Sequence, residues 1–232
     1  MPNRRQPGPP DLFSSGPIII GDAAAVQLPP GARHWPSALD VAAQRALLDD
    51  VARVIEAAPF YTPAMPRTGK PFSVVMTNCG SQGWVSDKTG GYRYQPTHPA
   101  TGAAWPPIPD SLLDIWRRYA DYSAFPEACL VNHYGGGTKL GSHVDSDEPN
   151  REAPVVSVSL GCDAIFHVGG LKRGDQKVRV TLRSGDVFVL GGESRSAHHG
   201  IDRILAGTSD LVSSIIPEGG RINLTMRRVS PA

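Results

Sequence analysis

Cysteine is scarce: the 232 residues hold three, Cys79, Cys129 and Cys162, an odd number with no close pair. This excludes a readable disulfide framework or thiolate zinc motif, and makes a reducing compartment, the cytoplasm, the expected setting. Long apolar runs are missing too. Ile18-Ile19-Ile20 stops at Gly21 and Asp22, too short for a secretion signal or a membrane span. Charge of one sign is also absent, because 23 Lys and Arg face 22 Asp and Glu for a net charge of +1. A bulk polyelectrolyte binder is excluded, and any contact with nucleic acid must run through a local patch.

What the chain has in quantity is turn chemistry, with 25 Gly and 22 Pro, beside a hydrophobic fraction of 40% that can build a core. That balance argues against a helical bundle and for many short strands. Residues 1–12 are Pro-rich and read as a mobile tail, leaving 13–232 as a single domain. One helix is expected from about Asp40, its cap, to Ala57, and another from about Ser111 to Tyr119. Strands are expected at Ser73–Thr77, Tyr92–Tyr94, Ala128–Tyr134, Val155–Leu160, Ala164–Val168, Val178–Leu182, Asp186–Leu190 and Ile222–Arg228. Helices followed by short strands give a mainly β, α+β protein, a sandwich or jelly roll buttressed by helices.

His143 and Asp145 stand two residues apart, so on an extended backbone both side chains point the same way and can hold one cation. His199 offers a third ligand. Its neighbour His198 is a rival, but adjacent residues on a strand face opposite ways, so only one can serve. Two His and one carboxylate make the facial triad of non-haem Fe(II) oxygenases, with open positions for cosubstrate and O₂. The same set suits Zn²⁺ in a hydrolase. Taken alone, an HxD pair is as often a solvated loop.

The last strand alternates strictly: Arg221, Asn223, Thr225 and Arg227 on one face, Ile222, Leu224 and Met226 on the other. A solvated edge strand would look the same. Two guanidiniums turned inward, however, need anions, and a dicarboxylate supplies both. Asn132 and Tyr134 share a face on Leu130–Tyr134 and add an amide and a phenol. A two-arginine strand beside a His/Asp/His site points to 2-oxoglutarate.

Several motifs then occur in order: Met76–Gly80 (MTNCG), Gly83-Trp84, Val131–Tyr134 (VNHY), Gly137–Glu148 (GTKLGSHVDSDE), Ala153–Gly161 (APVVSVSLG), Gly170–Arg173 (GLKR), Gly185-Asp186, Gly191–Arg195 (GGESR), His199–Ile201 (HGI) and Arg221–Arg227 (RINLTMR). From about Ala57 to Arg228 the chain closely resembles the bacterial AlkB alkylation-repair dioxygenases. The resemblance implies a double-stranded β-helix (jelly roll) core, about 127–228, under an N-terminal nucleotide-recognition lid, about 60–110. It implies Fe(II) on His143, Asp145 and His199, and 2-oxoglutarate, with O₂ as second cosubstrate, on Asn132, Tyr134, Arg221, Asn223 and Arg227. Arg221 then takes the distal carboxylate and Arg227 lies near the other end. On the substrate side it implies Trp84, Tyr92, Arg173 and the acidic pair Asp147 and Glu148. The implied activity is oxidative demethylation of 1-methyladenine and 3-methylcytosine in DNA, single-stranded or with the base flipped, releasing formaldehyde, succinate and CO₂. A monomer with no membrane contact is expected. RNA or another substrate for the same chemistry, or a non-catalytic nucleic-acid module, are the alternatives. Departures from the family pattern are one extra residue between Trp84 and Tyr92, His133, His167, and Leu190 where an aromatic can stand.

Overall fold

The computed structural model describes residues 27–231; the tail expected at 1–12 lies outside them. Twelve strands and two α-helices are present among the described residues. Helix α1 is Val41–Ala57 and α2 is Asp110–Tyr119. The Asp40 carboxylate accepts from the Ala43 N–H at 2.8 Å, a cap that contributes about 1 kcal/mol. None of the described helices is long and apolar enough to cross a membrane.

The strands are β1 (Ala32–Trp35), β2 (Val75–Gly80), β3 (Gly83–Asp87), β4 (Gly91–Gln95), β5 (Ala128–Tyr134) and β6 (Leu140–His143). They continue with β7 (Val155–Gly161), β8 (Asp163–Val168), β9 (Val178–Leu182), β10 (Val187–Leu190), β11 (His199–Leu205) and β12 (Arg221–Arg227). Six of them form a sheet in the order β1-β10-β7-β12-β5-β2, and four form a second sheet, β6-β11-β8-β9. The pairing is antiparallel throughout, as a jelly roll requires. Strands β3 and β4 make a separate hairpin.

The period-2 pattern of β12 decides the layering. Ile222, Leu224 and Met226 are wholly buried on the outer face, in one cluster with Leu47, Val51 and Trp116 of the two helices. Arg221, Asn223, Thr225 and Arg227 therefore turn inward, toward the second sheet. The edge-strand reading fails, because β12 pairs with β5 on one side and β7 on the other. A second apolar cluster, including Phe166, Leu182, Phe188 and Ile201, fills the space between the sheets.

Strands β1, β3, β6 and β11 were not among the expected elements. On β11, Gly200 is required by close approach: a Cβ there would lie 2.5 Å from the Leu140 carbonyl oxygen and 3.0 Å from the His167 ring. The register against β6 shifts at this point, between His199 and Ile201.

Candidate metal and cosubstrate site

His143 ends β6 and His199 begins β11, and the two residues are partners across the ladder. Asp145 follows β6 by two residues, so the chain brings all three side chains to one mouth between the sheets. Nε2 of His143 lies 3.6 Å from one Asp145 carboxylate oxygen and Nε2 of His199 lies 3.5 Å from the other. The three potential ligand atoms fall within 4.8 Å of one another.

Each imidazole is oriented through Nδ1, which lies 2.9 Å from the Gly141 carbonyl in His143 and 3.0 Å from the Ala197 carbonyl in His199. A carbonyl only accepts, so Nδ1 carries the proton and each Nε2 lone pair faces Asp145. Burial brings the His199 pKa down to about 4, which keeps that ring neutral near pH 7. For His143 burial acts the same way, but the Asp145 carboxylate beside it wins and raises the pKa. Burial opposes ionisation of Asp145, and Arg227 and the two imidazoles overcome it, holding the carboxyl well below its usual range. Two imidazoles with free Nε2 lone pairs and one ionised carboxylate fit a divalent iron. His198 lines neither cavity of the site; its backbone bonds to Gly169 and Gly170.

Behind the triad lies a narrow cavity of about 80 Å³, reached by Asn132, Tyr134, Arg221, Asn223 and Arg227 alike. Arg221 is fully buried. Its bonds end on neutral oxygens: the carbonyls of Cys162 (3.2 Å) and Leu182 (3.3 Å) and the Ser159 hydroxyl (2.6 Å). Its Nε has no partner. Burial without a facing carboxylate lowers its pKa to about 10. A guanidinium so placed wants an anion, and the carboxylate of 2-oxoglutarate fits it. Burial likewise pushes the Tyr134 phenol up to about 12, so it stays protonated. The Asn223 amide donates to Ser157 and Val158 and accepts from Thr225, which fixes its orientation. Leu190 lines the same cavity.

Arg227 lines the inner cavity at its triad end, away from Arg221 in its bonding. It bridges Asp145 at 2.8 Å and Glu148 at 2.5 Å. Glu148 also takes Arg195 at 3.0 Å and the Tyr94 hydroxyl. Two cations and two carboxylates thus balance one another inside the fold.

The expected acidic pair divides here. Asp147 lines the outer cleft, whereas Glu148 is 1% exposed and turned inward, because two buried guanidiniums demand a carboxylate more than an open cleft does. Arg195, 2% exposed, closes the GGESR motif but has no role assigned from the sequence; its guanidinium also donates to the carbonyls of Ala153 (2.8 Å) and Asp145 (2.9 Å). Arg151 donates to the same Asp145 carbonyl at 2.6 Å. Both arginines look like ordinary charged-turn residues in the sequence.

Burial works against ionisation of Glu148, yet Arg227 and the Tyr94 hydroxyl bring its pKa to about 2, from 4.5. A depressed carboxylate pKa stabilises the fold above the unfolded value and ceases to do so as pH falls toward the folded one. Glu148→Gln should therefore cost about 3 kcal/mol near neutrality. In urea unfolding, the gap between parent and variant should close on acidification through about pH 3.

In front of the triad opens a cleft of about 630 Å³, walled by Trp84, Tyr92, Met65 and Phe72 and sharing His143 and Asp145 with the inner cavity. The Trp84 and Tyr92 rings stack at 5.6 Å and 23°. The Trp84 indole N–H donates to Asp147 at 2.7 Å. Between Trp84 and Tyr92 the β3–β4 turn is closed by Asp87, which accepts from Thr89 and Gly90 and pairs with Arg93 at 2.8 Å. Arg173 reaches neither cavity; it is exposed on a turn closed by Asp175 on Lys172. His133 meets the Gly219 carbonyl at 2.8 Å, and His167 pairs with Asp202 at 2.8 Å; neither lines a cavity of the site.

Known proteins resemble this chain. The sequence profile of the 2OG-Fe(II) oxygenase superfamily matches residues 31–227. The "Alpha-ketoglutarate-dependent dioxygenase AlkB homolog" of Caulobacter vibrioides is 49% identical over 205 residues, 88% of this chain and 90% of that protein. "DNA N(6)-methyladenine demethylase ALKBH1A" of Arabidopsis thaliana is 38% identical over 143 residues, 53% of this chain and 41% of its own length. The solved structure of OsALKBH1 superposes with a TM-score of 0.69 at 31% identity, covering 87% of this chain and all of the other. The match over nearly the whole jelly roll and the donor set at its mouth agree: this chain belongs to the AlkB family of the 2OG-Fe(II) oxygenase superfamily, dioxygenases dependent on Fe(II), 2-oxoglutarate and O₂.

Proposed function

We propose that the protein removes N-alkyl groups from nucleobases, with 1-methyladenine and 3-methylcytosine in DNA as substrates. The observation that carries this reading is the sharing of His143 and Asp145 between two cavities, a closed one suited to a dicarboxylate and an open aromatic one suited to a base. The relatives named for AlkB and for a DNA demethylase support it.

In this reading His143, Asp145 and His199 hold Fe(II), and Arg221, with Asn132, Tyr134 and Asn223, receives 2-oxoglutarate. Bound there, Fe(II), 2-oxoglutarate and O₂ supply the oxidation of the methyl group that ends in formaldehyde, succinate and CO₂. The chain's own contribution is placement and exclusion of water. Arg221 fixes the cosubstrate's far carboxylate, and Arg227 and Arg195 hold Asp145 and its loop. Trp84 and Tyr92 offer faces for a base, and Asp147 offers a carboxylate to a lesion carrying positive charge. Arg173 and Glu148, expected on the substrate side by resemblance, do not line the open cleft. A methyl on a Watson–Crick nitrogen lies inside the duplex, so the base enters flipped or from a single strand. One chain carries the whole site, so a monomer suffices. Three buried free thiols fit a reducing, cytoplasmic setting.

The test is mass spectrometry of methylated DNA and RNA oligonucleotides incubated with Fe(II), 2-oxoglutarate and ascorbate. Loss of 14 mass units per lesion from DNA, matched by formaldehyde, is expected at about this increment for one CH₂. Succinate formed with a methylated RNA or a peptide but not with methylated DNA would overturn the DNA assignment. Trp84→Ala should weaken binding of the methylated oligonucleotide by about 5- to 100-fold, the range for loss of one stacking contact.

A further inference from the structure

In the MTNCG segment on β2, Asn78 is wholly buried, yet its side chain bonds no residue of its own sheet. The amide oxygen accepts from the Trp84 N–H at 3.1 Å, and the amide nitrogen donates to the Trp84 carbonyl at 3.1 Å. The Tyr61 hydroxyl donates to the same carbonyl at 2.7 Å and accepts from Asn78 at 3.1 Å. A single side-chain amide thus exchanges two bonds with one backbone residue, as a partner strand does in a hydrogen-bonded pair.

The hairpin needs this. Strand β3 pairs only with β4, so its other edge would present unpaired backbone groups. Gly83 adds a second anchor: a Cβ there would meet the Trp105 indole at 2.4 Å, so the bare glycine lets Trp105 pack on the strand. Trp84 is therefore held at its N–H, at its carbonyl and, through Asp147, at its indole. Burial, foremost among the influences on it, pushes the Tyr61 phenol well above its ordinary range, so it remains a donor.

From this geometry we infer that Asn78 and Tyr61 are positioning residues that lock the Trp84 backbone, and so set the face on which the alkylated base stacks. Neither lines the cleft. The inference rests on the reading of Trp84 as the base platform, and the test separates the two.

Tyr61→Phe keeps the ring and leaves the Trp84 carbonyl bonded to Asn78, so the fold survives. Asn78→Asp keeps the acceptor for the Trp84 N–H but turns an oxygen toward the Trp84 carbonyl. Binding of a fluorescent 1-methyladenine oligonucleotide to the metal-free protein is measured by anisotropy, and KM and kcat for the oligonucleotide are measured on the loaded enzyme. Tyr61→Phe should raise Kd and KM about 3- to 10-fold, the loss of one hydrogen bond, with kcat nearly constant. Asn78→Asp should raise them further. In a Trp84→Ala background, Tyr61→Phe should have no additional effect, since the residue it positions is gone. An equal effect of Tyr61→Phe with and without Trp84 would overturn the inference and make the pair general support of the lid. So would strong loss in Trp84→Ala with none in either clamp variant. No loss in Trp84→Ala itself would overturn the platform reading instead.

Discussion

In Asp145→Ala, succinate formation should fall to the metal-free background, and anaerobic titration should show Fe(II) affinity lost by more than in His199→Ala. The ordering follows from charge. Removing His199 takes away one neutral donor and leaves an ionised carboxylate facing the cation. Removing Asp145 takes away the only anionic ligand and leaves Arg227, now 2.8 Å from the position of the missing oxygen, without that counter-charge. The site changes from near neutral to cationic in a buried setting where repulsion is weakly screened. Asp145→Asn separates the two parts of the loss: it restores size and an oxygen ligand but leaves Arg227 uncompensated. If Asp145→Asn binds Fe(II) as the parent does, the anionic charge has no part in holding the metal; if Asp145→Ala does so, the triad assignment fails.

Much of this architecture is legible in the sequence, and the illegible parts are concentrated at the site. Strands β5 and β9 fall where alternation and β-branched residues place them, and α1 begins after the Asp40 cap. The inward face of β12 follows from period 2 alone. Strands β6 and β11 do not show themselves, although they carry His143 and His199. A glycine and a serine dilute β6, and β11 opens on His199-Gly200 and shifts register along its length. Site geometry and close backbone approach displace the residues that make a strand readable, so the His/Asp/His spacing picked out side chains that the fold brings together where propensity could not.

Buried charge is hidden for another reason. Glu148 meets Arg195 and Arg227 across 47 and 79 residues of chain, and nothing local marks it as interior. The separation of Asp147 from Glu148 into cleft and core is thus a product of tertiary pairing. Asn78 is hidden similarly, its bonding to Trp84 depending on where a hairpin outside the main sheet docks.

Arg221→Met should act with different force on cosubstrate use and on stability. Arg221 is the one arginine of the inner cavity whose protein partners are all neutral. Losing the partner of a buried charged group costs about 2–5 kcal/mol in binding, so KM for 2-oxoglutarate should rise about 30-fold or more. The protein without cosubstrate should hardly notice: losing three bonds destabilises, and removing an unpaired buried charge offsets this, leaving a net change within about 2 kcal/mol. The parent should gain about 2.7 kcal/mol in unfolding free energy at a hundredfold excess of 2-oxoglutarate over Kd, and the variant far less at the same concentration. A purely structural arginine would give the reverse, a large loss of stability without ligand and an unaltered KM. The sequence cannot separate these cases, because a buried strut and an anion receptor are both an inward arginine on a central strand. What favours the receptor is the unsatisfied Nε beside a narrow cavity reached from the same mouth as His143, Asp145 and His199.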